Sequence, residues 1–456
     1  MKKKIIVILI IILIILVVIF VYTRFLNMQI DNEEEVTLNS INGTVYNISD
    51  SEITIKDTNN VEFTFNTEDI NLDNVFLGDT ISIDYEGELL AEIEQIALVH
   101  NVKLINNENR VPVEWNDKGL FSKYYVDAYK KLKEMSGDEK IGQLLLVRVP
   151  ETNQIEDIAK YNLGGYILFG RDTQNETKES LSAKIQSYQD SSKIPMIIAV
   201  DEEGGTVVRI SNNPNLRSER FPSPQQLYQS GGYDKIESTT LEMNELLSSL
   251  GINVNLAPVA DVSTDPSDFI YDRSFGRDAS ETSTFIQTVI KASKQSSVSY
   301  VLKHFPGYGN NKDTHTGISI DERSLEQFES VDFLPFKTGI EEGAEAILVS
   351  HNIISQVEEN TPASLSLNIH NILRDDLKFT GVIMTDDLDM GAIKYYVDEC
   401  PAVKAILAGN DMLITTDYEQ AYNDIKNAIN EGTITQENID HSVFRIIAWK
   451  YYKGLL

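Results

Sequence analysis

The chain has 456 residues, with 39 Lys and Arg against 70 Asp and Glu, for a formal net charge of −31. That length predicts two or three folded parts, and a composition 42% hydrophobic and 24% charged excludes global disorder. So acidic a chain lacks the basic footprint of a nucleic-acid binder, and its one cysteine, Cys400, excludes an intramolecular disulfide, a thiolate zinc cage and a CxxC redox pair.

Lys2, Lys3 and Lys4 precede an unbroken apolar run from Ile5 to Tyr22. The run reaches the ~18 residues expected of a membrane span and exceeds the ~7–15 residue core of a cleaved signal peptide. The bulky segment Tyr22-Thr23-Arg24-Phe25-Leu26 offers no cleavage site. The expectation is an uncleaved transmembrane anchor over residues 1–27, with the lysines inside and the rest of the chain outside the cell.

Residues 34–104 read as a small all-β module that spaces the larger body from the membrane. Ile53-Thr54-Ile55, Val61-Glu62-Phe63-Thr64-Phe65 and Ile81-Ser82-Ile83-Asp84-Tyr85 alternate apolar and polar residues with period two. Asn42-Gly43, Asn59-Asn60 and Glu86-Gly87 predict turns between strands. Residues 105–120 read as a linker, with Asn106-Asn107-Glu108-Asn109 inside it.

Over residues 121–456, short apolar strands alternate with amphipathic helical stretches. The strand candidates are Gln143–Val149, Gly165–Phe169, Met196–Val200, Asn253–Leu256, Tyr300–Lys303, Ala346–Val349, Val382–Met384 and Met412–Ile414. Helical patterns fall at Lys178–Tyr188, Ser283–Lys294, Leu325–Glu342 and Tyr418–Ile429. Continuously apolar strands separated by helices predict an α/β fold with a parallel sheet covered on both faces. Eight of them predict a (β/α)8 TIM-type barrel, with an open doubly wound sheet as the alternative.

Polar groups gather where these strands end. Asp201-Glu202-Glu203-Gly204-Gly205 follows the third strand, Asp261 the fourth, Lys303-His304 the fifth, Ser350-His351-Asn352 the sixth and Asp386-Asp387 the seventh. In such barrels the chemistry sits at the carboxyl ends of the strands, so these groups are expected to converge on one mouth. The mouth would hold carboxylates (Asp201, Asp386, Asp387), His315 two residues from Asp313, and the cations Lys303, Arg209 and Arg273. A metal hydrolase is one reading, although the first strand ends in Arg148-Val149-Pro150 and not in a His-x-His pair. Glycoside hydrolysis is the other. It needs one carboxylate at the anomeric carbon, one proton donor, and charged groups to hold sugar hydroxyls.

Lys303-His304-Phe305-Pro306-Gly307-Tyr308-Gly309, followed by Asp313-Thr314-His315, resembles the signature of the β-N-acetylglucosaminidase branch of glycoside hydrolase family 3. The resemblance continues in Asp201–Arg209, Arg273-Ser274-Phe275-Gly276, Pro362–Ser366, Gly381–Met390 and Ile439–Ile446. It covers the larger body, and not the anchor or the β module, and favours the family's short, single-catalytic-domain members. It implies a retaining enzyme with no metal or organic cofactor, acting on a carbohydrate that carries terminal N-acetylglucosamine, such as a cell-wall fragment. By the same resemblance Asp386 matches the nucleophile, His315 the general acid/base and Asp313 its dyad partner, while Asp201, Arg209, Arg273, Lys303 and His304 match residues that grip the sugar. Sister specificities (β-glucosidase, β-xylosidase), phosphorolysis, and an inactive sugar-binding protein are the competing readings.

Two departures from the family pattern stand out. Tyr308 occupies a position usually held by a second histidine, and the loop before Asp313 is one residue short. Asp389 stands where Ser or Asn is commoner, and close approach to the nucleophile would raise that group's pKa by like-charge repulsion. Asp387 reads as a cap or hydrogen-bonding partner, and His351, Asp261 and Glu202 as structural or functional alike.

Overall fold

The computed structural model describes residues 2–30, 38–89, 94–95, 97–314, 317–394 and 400–456. The chain divides into two compact units, Met1–Arg110 and Val111–Leu456.

The first unit opens with helix α1 (Lys2–Ile30). Its side chains are described over 10–25, and the large apolar ones there are exposed. The expected membrane span is not supported. Among the described residues no helix is long and apolar enough to cross a membrane. The side chains of residues 5–9 in the expected span lie outside the described residues.

Six strands follow: β1 (Asn39–Ile48), β2 (Glu52–Lys56), β3 (Glu62–Asn66), β4 (Thr80–Glu86), β5 (Glu94–Gln95) and β6 (Leu98–Asn106). They form one sheet in the order β5-β3-β2-β1-β4-β6. Alternation sets its core: Ile53, Ile55, Phe65, Ile81 and Ile83 are buried, with polar residues between them. The turn expected at Asn42-Gly43 does not form, because both residues lie inside β1, paired with Ser82 and Ile81. Glycine is needed there for close approach, since a Cβ on Gly43 would sit 2.8 Å from both the Ile55 side chain and the Lys56 carbonyl. The expected linker is partly structured: its first two residues belong to β6, and Arg110 closes a bidentate ion pair on buried Asp79 at 2.8 Å.

The second unit is an α/β barrel. Its strands are β7 (Leu145–Arg148), β8 (Gly165–Leu168), β9 (Ile197–Val200), β10 (Val254–Asn255), β11 (Ser299–Phe305), β13 (Ala346–Val349), β15 (Val382–Thr385) and β16 (Leu413–Thr415). The small pair β12 (Ile320–Asp321) and β14 (Ile353–Ile354) lies outside this sheet. The eight strands follow one another around the sheet in chain order, all parallel, starting from β7. One bridge, Met384 to Met412, nearly closes β15 onto β16. Nearly every residue of these strands is buried, as helices on the outside and side chains on the inside require.

β10 is shorter than its sequence suggests, and asparagine side chains add to its main-chain bonds with β9. Asn253 Oδ1 accepts from Ile198 N at 2.8 Å and its Nδ2 donates to Met196 O at 3.0 Å. Asn255 repeats the clasp on both main-chain polar groups of Glu202, at 3.0 Å each. These amides fix the end of β9, which carries the acidic run of the mouth.

Candidate active site

Seven of the eight residues singled out for chemistry line one cavity of about 510 Å³ at the carboxyl ends of the strands: Asp201, Arg209, Arg273, Lys303, His304, Asp313 and Asp386. His315 lies outside the described residues. The cavity has the size and mixed polar and apolar lining of a small-ligand site.

Its best-ordered part is a cluster of alternating charges. After β9, Asp201 lines the mouth, Glu203 lies buried behind it against Lys303 and Arg273, and Glu202 turns to the 209–211 backbone. Lys303 Nζ, at the end of β11, lies 2.7 Å from Asp201 Oδ1 and 2.6 Å from Glu203 Oε1. Arg273 grips Glu203 bidentately, Nη2 to Oε1 at 2.7 Å and Nε to Oε2 at 3.0 Å. Burial alone would raise the Glu203 carboxyl, but Arg273 and Lys303 outweigh it and hold that pKa far below the usual carboxylate range. The same attraction raises Arg273 and Lys303 against the desolvation that would lower them. Glu203 is the residue that sequence reasoning missed. The period-two rule applied to Asp201-Glu202-Glu203 was the signal that pairs it with Asp201.

Glu202 is structural. It accepts the backbone N–H groups of Arg209, Ile210 and Ser211 at 2.8, 2.7 and 3.1 Å, together with the Ser211 hydroxyl. This bond set folds the 201–211 loop back and places the Arg209 guanidinium 3.8 Å from Asp201. Arg209 and Arg148 lie over the ring of Phe169, at 5.6 and 4.2 Å from its centroid, and all three line the cavity.

His304 is held at both ring nitrogens. Nδ1 lies 2.8 Å from Asp261 Oδ2, and Nε2 lies 3.1 Å from Arg273 Nη2. A guanidinium only donates, so Nε2 accepts and the ring is assigned as the neutral Nδ1–H tautomer. That occupancy suits a fixed polar contact and leaves no proton to give. Asp261 also accepts His304 N at 3.0 Å and Tyr308 N at 2.7 Å, clamping the 304–308 turn from both ends.

Asp386 follows β15, its own N–H bonded to Val349 O at 2.9 Å and its Oδ1 accepting Asp387 N at 2.8 Å. Asp387 accepts Asp389 N at 2.9 Å and the Thr416 hydroxyl at 3.2 Å. Burial first, then the charges of Asp389 and Asp386, push it up to about 6. Asp389 itself is neutralised by Lys394 at 3.0 Å and by the amides of Thr416 and Asp417 at 2.7 and 2.9 Å. Its like charge is one of the causes that raise Asp387. His351 holds this loop from beneath, with Nε2 2.9 Å from the Asp387 carbonyl and Nδ1 2.7 Å from the Ser364 hydroxyl.

Asp313 and Thr314 form the near side of the loop that leads to His315. Thr314 is buried, its hydroxyl 2.6 Å from the Tyr308 hydroxyl and its carbonyl accepting Ala392 N at 3.2 Å. The short loop is thus tied down at its middle residue.

Comparison with known proteins gives one consistent neighbourhood. The model of the glycosyl hydrolase family 3 N-terminal domain matches residues 136–449. Beta-hexosaminidase A of Pseudoalteromonas piscicida is 29% identical over 357 residues, which are 72% of this chain and 58% of that protein. Beta-hexosaminidase LpqI of Mycobacterium tuberculosis is 28% identical over 330 residues, 69% of this chain and 83% of its own length. Among solved structures, a family 3 beta-N-acetylglucosaminidase from Paenibacillus superposes with a TM-score of 0.65 at 27% identity, covering 70% of this chain and 63% of that one. This chain therefore spans less than two thirds of the first relative in each comparison.

Proposed function

The chain belongs to glycosyl hydrolase family 3, and from that premise we propose that it is a retaining β-N-acetylhexosaminidase that removes terminal β-linked N-acetylglucosamine. The observation that carries the proposal is the convergence on one cavity of Asp386, Asp313 and the charged cluster Asp201, Arg209, Arg273, Lys303 and His304. The names of the similar proteins support the same sugar.

In this reading Asp386 attacks the anomeric carbon while His315, as imidazolium, protonates the departing oxygen, and a covalent glycosyl-enzyme forms. Neutral His315 then deprotonates a water that releases the sugar with its configuration retained. Asp313 orients the imidazole and stabilises its charged form. Lys303, Arg273 and Asp201 hold the ring hydroxyls through charge-assisted bonds, with Arg209 at the rim. His304 is a fixed contact and not a second acid, because both its nitrogens are engaged.

Incubation with a chromogenic β-N-acetylglucosaminide tests the activity; sugar binding without chromophore release overturns it. Asp386→Ala abolishes turnover of every substrate. His315→Ala spares the first step with a nitrophenol leaving group but loses roughly 10²–10⁴-fold with a sugar leaving group; equal losses on both overturn the proton-donor role.

Glycans of the cell wall are the proposed substrates, and the cell surface the proposed location. The triple lysine before the apolar run supports the N-terminal segment as the tether. Recovery of the protein in the cytosolic fraction after membrane sedimentation refutes this placement.

A further inference from the structure

The Tyr308 hydroxyl is an unusual thing to bury at this point of the mouth. The ring is 1% exposed, packed edge-on against His304 (centroids 5.1 Å, 82°) and against Phe269 (5.7 Å, 66°). A buried tyrosine hydroxyl needs a polar partner, and here that partner is the Thr314 hydroxyl at 2.6 Å. Thr314 sits between Asp313 and His315 in sequence, and it too is buried. A bond to its side chain therefore fixes the backbone next to Asp313, which lines the cavity.

The bond ends a continuous path. Glu203 holds Arg273, and Arg273 donates to His304 Nε2. Asp261 joins His304 Nδ1 to the backbone N–H of Tyr308, and Tyr308 reaches Thr314. The charged cluster of the cavity and the loop that carries Asp313 thus share one set of bonds. Loops carrying catalytic groups are otherwise the least rigid part of such a scaffold, and positional error in them costs rate.

We propose that Tyr308 is a positioning residue for proton transfer: through the Thr314 hydroxyl it holds the segment that carries Asp313 in register with the sugar site. The inference rests on the reading of Asp313 and His315 as the acid/base pair. Tyr308 touches neither substrate nor reacting atoms. Its hydroxyl replaces whatever tether a histidine at this position would supply, and it compensates for a loop one residue short.

The test is a leaving-group series, from a 2,4-dinitrophenyl to an alkyl β-N-acetylglucosaminide, measured on wild type, Tyr308→Phe, Thr314→Val, Thr314→Ser and the Tyr308→Phe/Thr314→Val double variant. Tyr308→Phe keeps the ring packing and removes only the hydroxyl. One hydrogen bond of ordinary net strength predicts about a tenfold loss of kcat on the alkyl substrate, with KM unchanged, and less than about threefold on the dinitrophenyl one. Thr314→Val gives the same pattern, Thr314→Ser restores the rate, and the double variant is no worse than either single change because one bond is lost in each case. An equal loss across the whole series, or none, overturns the tether while leaving the hydrolase reading intact. A wild type inactive on every glycoside overturns both. Thr314→Val decides the matter if Tyr308→Phe does not fold.

Discussion

Glu203→Gln isolates the charge at the centre of the sugar-facing cluster. The glutamine keeps the shape and one acceptor, but Arg273 loses a carboxylate at 2.7 and 3.0 Å, and Lys303 keeps Asp201 alone at 2.7 Å. Removing one partner of a buried ion pair costs ~3–5 kcal/mol, and the retained polar partner places this change near the lower end, about 3 kcal/mol. For a unit of this size that is a fall in Tm of roughly 4 °C. The pH dependence follows from the sign of the shift. The folded carboxyl lies far below its ordinary value of 4.5, so its stabilisation is complete above that value and is lost as pH falls toward the folded one. The gap between wild type and variant should hold from pH 8 to about 5 and shrink by about 1.4 kcal/mol at pH 3.5, one unit below the unfolded value. Urea midpoints followed by tryptophan fluorescence at pH 7.5 and 3.5 measure it. Coincident midpoints at pH 7.5, or a gap that does not change at pH 3.5, refute the argument that Glu203 is held ionised by its two cations.

The barrel was legible because parallel strands covered on both faces need unbroken apolar runs, and those runs are local in sequence. What decides between neighbours is not local. Asp201, Glu202 and Glu203 look alike as letters, yet Asp201 and Glu203 meet on Lys303, the first in the cavity and the second buried behind it, while the middle one is spent on the backbone of 209–211. By resemblance His304 matches a sugar contact, and His351 reads as structural or functional alike; both prove committed at each ring nitrogen, to partners 31 to 43 and 13 to 36 residues away. The helix over Pro224–Ser249 escaped the sequence reading because Gly231-Gly232 interrupts its pattern, and the backbone does leave helical geometry there. Asn42-Gly43 failed as a turn for the opposite reason: its glycine answers to the approach of a neighbouring strand, which no window of sequence displays.

The remaining predictions concern groups around the mouth and one far from it. His351→Phe frees the Asp387 carbonyl from its 2.9 Å bond and should lower kcat about tenfold by loosening the loop that carries Asp386, with KM little changed in steady-state assays. Asp387 is pushed up to about 6, so the folded state holds its proton more tightly than the unfolded chain and loses stability as pH rises from about 4 to 6; Asp387→Asn should raise Tm more at pH 7 than at pH 4. Lys450 is fully buried and bonded only to neutral acceptors, Gln143 Oε1 at 2.6 Å and Gly164 O at 3.2 Å. Burial lowers its pKa to about 7, from an ordinary 10.5. Between those values the unfolded chain binds the extra proton, so wild-type stability rises with pH across that window, and below about 7 the whole penalty is present. Lys450→Met removes the penalty but orphans one buried acceptor, Gln143 Oε1, at ~1–3 kcal/mol; Gly164 O keeps the Ile197 N–H at 2.9 Å. The two effects cross. At pH 10, where the wild-type amine is largely neutral and keeps both bonds, the variant should be less stable by on the order of 1 kcal/mol, and at pH 6.5 it should be more stable by on the order of 2–3 kcal/mol. Thermal scans at both values decide it: a variant less stable by the same margin at each pH would mean that Lys450 carries its charge in the core without cost.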